Sequence, residues 1–596
     1  MRKTFIFLTL ITLSSFVLAQ NVNLSNKLMH EYESCRLKAL EPNASISSHL
    51  WLTPLLDKAH KNWENLTPEA KELFSRYEGR PTYEGTEWIV TYGNFLFHYS
   101  TDGPEDESVD DTDEDDNGIP DYVDMIAEIF VNEIYDLYHT ETGLAIPPSD
   151  GTNGGDALYD VYINGTICEG DDGSRLYGYV MPEDEIGDNP NTAELEYEAM
   201  TSYMVMRNNY DGFQNDDETC ISVTAAHEYM HAIQNGYSSS MESWFKEMCA
   251  TWAEEFAFPG YDDNFQYLST HFERPDISLF FDDDEDYPEL EGHWYSTWIF
   301  AQYLTEQTSE EIIKNIYKRC VTYYALDAIN LELYENHDDY LESMFTYWVI
   351  TNYLITESPD FFDPFTYERA DDYIDYLDEI GSGLAIEYDF VYDGTNNILI
   401  ESNEEGNDTL MPMSADYFMM ASTENFEIEL ETENEDAELA FYLICVNETY
   451  GEINILGVEE DSETQTIRME NNDDYDYYVP IVIRFDRDVY DYDLGYYDFE
   501  SVDYTLFVSE LTPTNAETEK VNTFVNIYPV PANDIINIDT NADNLKFELY
   551  DITGKIAGKW ENETTIDISN FAVGNYTMKV SQNGKPISFK KISIVR

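Results

Sequence analysis

The chain has 596 residues, with 30 Lys and Arg against 121 Asp and Glu, a formal net charge of −91. That balance excludes nucleic acid and anionic membrane surfaces as partners, because phosphate contacts need a basic face. Hydrophobic residues at 43% and aromatics at 15% supply sizeable cores, so several folded domains are expected rather than a disordered acidic chain.

Residues 1–19 read as a secretory signal: Arg2 and Lys3 carry the charge, Phe5 to Val17 form the apolar run, and Val17-Leu18-Ala19-Gln20 offers a cleavage site. The run is too short to span a bilayer and no later stretch approaches one, so no transmembrane segment is expected. The six cysteines are Cys35, Cys168, Cys220, Cys249, Cys320 and Cys445, with no C-x-x-C pair among them. Thiolate zinc sites and thioredoxin chemistry are therefore not indicated. Export permits up to three disulfides, with the connectivity open, and Cys249 reads equally as a buried free thiol.

Residues 20–84 read as a helical region, of the kind that often serves as a pro-region, but with no cleavage signature. Trp88 to Tyr92 and Asn94 to Tyr99 alternate as strands. The stretch Asp113 to Asp124 then spaces oxygen donors as a calcium loop does. Asp113, Asp115, Asn117, Asp121 and Asp124 fall at its successive ligand positions, the Ile119 carbonyl at the seventh, and Gly118 where the loop must turn sharply. A helix over Met125–Tyr138 is expected to follow. In so acidic a chain the bland alternative is a solvated loop; the glycine register favours calcium. Asp rather than Glu at the last position implies weaker binding.

The most informative stretch is Thr224 to Tyr237, which holds His227, Glu228 and His231 as H-E-x-x-H. On a helix, residues four apart share one face, so two imidazoles at this spacing can grip one divalent ion, usually zinc. Glu228 follows the first histidine directly, where its carboxylate can serve as general base. Gly236 reads as a stop just past the helix. Ser239-Ser-Met-Glu242 reads as a capping box that opens a second helix over Met241–Phe256. On it, Trp244, Met248, Trp252 and Phe256 make a core-facing stripe with Glu247 beside it. A carboxylate there is costly unless paired or bound to metal, so Glu247 is the natural third ligand of a His2Glu site that leaves one position open. Glu254, two turns on, reads as a supporting or solvated carboxylate.

H-E-x-x-H followed by a glutamate on the next helix resembles the gluzincins. The run W-x-x-E-x-x-A-x-W-x-E after H-E-Y-M-H-A-I-Q is similar to a family of secreted bacterial zinc metalloproteases. So are Asn117-Gly-Ile-Pro-Asp-Tyr-Val-Asp124, Tyr159 to Tyr162 and Leu176 to Tyr179, which extend the likeness over roughly residues 85–315. The metzincin pattern fails, because Gln234 and Tyr237 stand where it needs glycine and a third histidine. The resemblance implies a zincin-like domain, a small sheet plus active-site helices, over 85–380. His293, Tyr295 and Tyr237 are candidates to stabilise the oxyanion, although each reads as well as a packing residue.

From 385 to 511 short strands separated by Asn, Asp, Glu and Gly turns suggest a β-sandwich accessory domain. Residues 512–521 read as a linker. In residues 522–596 basic and acidic residues are equal in number, unlike the rest of the chain. Tyr528-Pro-Val-Pro-Ala-Asn533, Leu549 to Lys555 and Val573 to Tyr576 resemble the C-terminal sorting domain of the type IX secretion system, a small all-β module. That likeness implies export across a Gram-negative outer membrane to the cell surface or medium, with the secretion machinery as a partner.

The expectation is thus a multidomain α+β protein: a secreted zinc metalloendopeptidase acting on proteins or peptides, with Zn2+ and Ca2+ bound. The competing readings are a zinc amide hydrolase on a non-protein substrate and a catalytically silent surface adhesin. An intact Glu228 argues against the last, since a binding module needs no base.

Overall fold

In the computed structural model the described residues are, apart from short interruptions, 22–32, 52–165, 176–281, 290–357, 365–402, 410–511 and 525–596. The expected signal segment 1–19, the linker 512–521, Cys35 and Cys168 lie outside them. The architecture is mixed α+β with several small sheets and an all-β C-terminal part. The chain divides into two compact units, Met1–Tyr267 with Asp283–Glu332, and Leu268–Asp282 with Leu333–Arg596.

The first unit is built on a five-stranded sheet. Its strands are β1 (Trp88–Tyr92), β2 (Phe95–Tyr99), β3 (Tyr159–Ile163), β4 (Gly178–Gly187) and β5 (Ala199–Met206), in the order β1-β2-β3-β5-β4. The pairs β2–β3 and β3–β5 are parallel, while β1 and β4 lie antiparallel at the two edges. Strands β2 and β5 are buried at every position, as strands covered on both faces should be. Alternation sends Tyr203 and Val205 to one face, where they meet Leu55, Leu56, Ala59 and Phe74 of the N-terminal helices α1 (Leu52–Lys61) and α2 (Pro68–Phe74). Elsewhere on the sheet Phe95 packs at a tilt on Phe130 and edge-on against Tyr229.

Helix α3 starts at Asp121, four residues before the expected Met125, spans Asp121–Glu128 and runs on as π-helical turns through Glu141. Pro120 stands at its cap, and Asp121 and Asp124 in the first turn suit the positive end of the helix. Helix α4 (Asp217–Tyr237) lies next to β4 and β5, and α5 (Ser243–Ala257) packs on α4. Tyr138 ties the two together: its hydroxyl donates to the Ala226 carbonyl at 3.1 Å and the Ala253 carbonyl at 3.4 Å.

In the second unit two sheets pack face to face over residues 388–510: one orders the strands Glu452–Val458, Leu439–Asn447, Tyr477–Arg484, Ser414–Ser422 and Tyr388–Tyr392, the other Thr464–Met469, Phe426–Thr432, Tyr504–Glu510 and Ile398–Glu401. Their shared core includes Phe418, Phe426, Phe441, Leu443, Val482 and Leu506. The last strands form two further sheets, over 525–567 and 545–594, around Ile536, Phe547, Met578 and Ile592.

The two units do not divide as the expected domain limits do. Residues of the 20–84 region share a core with the sheet of the first unit. Leu268–Asp282 and the helices after Leu333 group with the sandwich, because the backbone joins them: Ala385 N–H donates to Phe272 O at 2.8 Å, Ala415 N–H to Pro275 O at 2.9 Å, and Leu279 N–H to Met413 O at 3.0 Å. Cys220, Cys249, Cys320 and Cys445 are buried free thiols, so the described cysteines form none of the disulfides that export would permit.

Candidate active site

Helix α4 is capped by the Asp216 carboxylate, which accepts from Thr219 N–H at 2.9 Å. It is buried along nearly its whole length, and Ala225, Ala226 and Ala232 let neighbours approach. Gly236 is not a stop. The helix runs to Tyr237 and is capped by Ser238, and a Cβ at Gly236 would sit 3.1 Å from Asn189 and Pro148 side-chain atoms. The capping box before α5 does not form either. Glu242 is itself the extended cap residue, and its Oε1 accepts from Ala325 N–H at 2.9 Å.

Four buried charged residues sit on α5. Lys246 pairs with Asp57 at 2.8 Å. Glu247 is wholly buried, and Glu254 and Glu255 are nearly so. Such groups are tolerated only with partners, and for Glu247 these are the two imidazoles of α4. His227 Nε2 lies 3.2 Å from Glu247 Oε2, and His231 Nε2 lies 3.1 Å from Glu247 Oε1. The far nitrogens are also held. His227 Nδ1 is 2.7 Å from Glu254 Oε1, and His231 Nδ1 is 2.8 Å from Gln234 Oε1. The Gln234 amide is oriented in turn, since its Nε2 donates to Lys246 O and to the Tyr317 hydroxyl, each at 2.9 Å.

This arrangement fixes the tautomers. Each Nδ1 carries the proton and donates it, so each neutral ring turns an Nε2 lone pair towards Glu247. Neither Nε2 of His231 nor either oxygen of Glu247 has a hydrogen-bond partner. Two ring nitrogens and two carboxylate oxygens therefore converge, an arrangement that needs a proton or a cation among them. The ligand atoms of His227, His231 and Glu247 all fall within 4.8 Å of one another. Their closest separations are near the roughly 3.3 Å edge of a tetrahedron whose arms are about 2.0–2.1 Å. Burial works against the charged imidazole of His227, but Glu247 and Glu254 outweigh it and raise its pKa well above the usual range. Burial likewise opposes ionisation of Glu247, yet the two imidazoles hold its pKa at about 2. The pocket thus strongly favours positive charge, whether as a proton or a metal ion.

Glu228 projects into the same place. Burial raises its pKa, against the pull of His231, His227 and a hydrogen bond from Thr53. A cavity of about 40 Å3, room for a few water molecules, is lined by His227, Glu228 and Glu254 together with Tyr177, Asp263, Tyr267 and Tyr295. Gly178 also lines it, and only glycine fits. A Cβ there would stand 2.9 Å from the Val205 carbonyl and from Thr224 Cγ2, and 3.5 Å from Glu228 Cγ. Strand β4 thereby passes directly over the Thr224 and Glu228 side of α4.

Of the three oxyanion candidates, Tyr295 lies at the cavity. It belongs to the short helix α6 (His293–Ser296), stacks on Tyr267 at 5.0 Å and sits 5.9 Å from the His227 ring. His293 is buried and does not line the cavity. Tyr237 is turned away, six positions past His231 and on the far side of the helix. It packs on Tyr317, and its hydroxyl accepts from Ala145 N–H at 3.0 Å.

In the acidic loop, carboxylate oxygens of Asp113, Asp115 and Asp121 lie within 4.8 Å of one another. Gly118 has φ +91°, and its N–H donates to Asp113 Oδ2 at 2.8 Å. Asn117 turns its Nδ2 to Asp124 Oδ2 at 2.7 Å, and its Oδ1 accepts from Ile119 N–H at 2.7 Å. Asp124 also accepts from the Tyr92 hydroxyl. Asn117 also donates to the cluster, from its N–H to Asp113 Oδ1 at 3.1 Å and Asp115 Oδ1 at 3.0 Å and from Nδ2 to Asp115 Oδ2 at 3.2 Å.

The tail decides how the protein travels. Residues 526–595 match the family described as a secretion system C-terminal sorting domain. The tail is a type IX sorting domain. The protein is exported by that system to the cell surface or beyond, and among the described residues no helix is long and apolar enough to cross a membrane. No curated protein matches the chain. Among solved structures, domains 3 and 4 of rat CD4 are 10% identical, with 29% of this chain and 94% of that one covered and a TM-score of 0.12. An FMN-binding β-glucuronidase from Facaelibacterium prausnitzii L2-6 is 11% identical, covering 30% and 32%, at 0.12. A β-D-glucuronidase of Dictyoglomus thermophilum is 9% identical, covering 30% and 36%, at 0.11. Likenesses this slight say nothing about the site.

Proposed function

We propose that the exported protein is a zinc metalloendopeptidase of the gluzincin kind, with a zincin-like first unit. One observation carries the reading: the Nε2 atoms of His227 and His231 meet the two oxygens of the buried Glu247 carboxylate at 3.2 and 3.1 Å. His227, His231 and Glu247 would hold the ion, with Glu254 and Gln234 fixing the rings behind them. Zinc there would supply Lewis acidity, acidifying water and polarising a carbonyl.

The chain's own groups do the rest. Glu228, whose raised pKa suits a proton carrier, removes a proton from the attacking water. It then returns that proton to the departing amine as the peptide bond breaks. The Tyr295 hydroxyl, at the cavity wall, can donate to the developing oxyanion. The fitted ion pocket beside a cavity that also holds a general base favours an enzyme over an adhesin. The test is incubation of the purified exported protein with denatured casein, followed by mass spectrometry of the products. New peptide termini that appear without chelator and vanish with it support a peptidase. Intact casein under both conditions would leave an amide hydrolase on some other substrate, or no enzyme at all.

We propose also that the Asp113–Asp124 loop holds calcium through Asp113, Asp115 and Asp121. Three carboxylates so close repel one another unless a cation lies among them. Removing Ca2+ is expected to lower the melting temperature of the first unit by several degrees, and adding it back to restore it. A scanning-calorimetry trace unmoved by excess chelator would count against a structural ion.

A further inference from the structure

The general base is held from behind by a residue far away in sequence. Thr53, in the first turn of α1, is buried, and its hydroxyl donates to Glu228 Oε2 at 2.8 Å. The Thr53 hydroxyl oxygen itself accepts from Val180 N–H of β4 at 3.1 Å. Because the backbone N–H can only donate, the hydroxyl proton is directed to the carboxylate. Glu228 lines the cavity and Thr53 does not, so α1 stands behind the carboxylate and leaves the cavity open.

Three other anchors hold this segment in place. Lys246 of α5 is buried and ion-paired to Asp57 of α1 at 2.8 Å. Leu55, Leu56 and Ala59 cover Tyr179 and Met181 of β4 and Tyr203 and Val205 of β5. Further on, Arg80 meets Glu183 in two bonds at 2.6 and 2.9 Å and also binds Asp150 and Asp160. Without the segment, Lys246 would lose its carboxylate partner and an apolar face of the sheet would be exposed.

We infer that Thr53 is a positioning residue for Glu228, and that residues 52–83 stay in the mature protein as part of the active unit instead of leaving as a pro-segment. The positioning role rests on the peptidase reading above; the retention of the segment does not. Holding Oε2 restricts rotation of the carboxylate and leaves Oε1 to take the proton.

The test has two arms on the full-length exported protein. Intact mass and N-terminal sequencing are expected to find the segment still present, and if it is nicked, still co-purifying. Fully active protein whose chain begins beyond residue 84, with the upstream fragment lost, would overturn the inference. In the second arm, Thr53→Val is expected to lower kcat roughly tenfold, the typical value of a hydrogen bond to a charged group. KM, zinc content and melting temperature should be almost unchanged, and Thr53→Ser should restore kcat to within about twofold. The Val effect should disappear in a Glu228→Gln background, since the group it positions is then no longer a base. Unchanged kcat in Thr53→Val, or an undiminished effect in the double variant, would remove Thr53 from the mechanism. If Thr53→Val does not fold, the mass and sequencing arm still decides on the segment. A wild-type protein without peptidase activity would instead sink the proposed function and leave that arm standing.

Discussion

Glu228→Gln is expected to abolish most of the activity while leaving the metal in place. The substitution keeps the size of the side chain and an oxygen to accept from Thr53, which donates to Glu228 at 2.8 Å. It removes the group that takes the proton. The groups that converge on the ion pocket are His227, His231 and Glu247, and none of them changes. Zinc should therefore remain near one ion per chain by atomic emission. Peptide hydrolysis should fall by about 10²–10⁴-fold, the usual worth of a positioned general base. Full activity at normal zinc content would mean that another group moves the proton.

Glu247→Gln should behave in the opposite way with respect to metal. Glu247 is fully buried between the two imidazoles and is held ionised, with a pKa of about 2. A neutral amide is a poorer ligand and would place an N–H₂ against one Nε2 lone pair, so a hydrogen bond replaces the attraction to a cation. Loss of a partner that merely supports a ligand costs about 10–100-fold in metal affinity, and loss of the ligand itself should cost at least that. Zinc content and activity should fall together, and excess zinc should restore part of both. Glu247→Gln protein that kept one zinc per chain under a competing chelator would show that this carboxylate is not a ligand. Together the two glutamine variants separate the base from the ligand, although both replace buried glutamates of the same cavity region.

Much of this site was legible in the sequence, and the reasons are geometric. His227 and His231 are related by the period of a helix, so their shared face follows from spacing alone. Glu247 stood out because a carboxylate beside Trp244 and Met248 needs a partner. Glu254 was readable only in part: its place two turns on gave a face but could not show that the face meets the His227 ring. Gln234 was readable only as a missing glycine, although an amide three residues after His231 can reach its Nδ1. Thr53 gave none, because nothing in the chain near it announces contact with a helix 175 positions away. Tyr237 and His293 were drawn in by chemistry alone, without the helix phase and packing that take both off the cavity wall. At the fold level the period-two strands 88–92 and 95–99 were readable, and so was the change to short strands beyond residue 385. The capping box misled because Glu242 reaches forward to Ala325, a tertiary contact that competes with the local one.

The most direct measurement of the central claim is a zinc titration of chelator-stripped, exported protein, with hydrolysis of an unstructured peptide followed at each addition. The His227, His231 and Glu247 pocket offers one ion position, so hydrolysis should start near zero, rise linearly and level off at one equivalent. The products should be two peptides cut at an internal bond. A peptide left whole at saturating zinc, or activity undiminished in the stripped protein, would contradict the account.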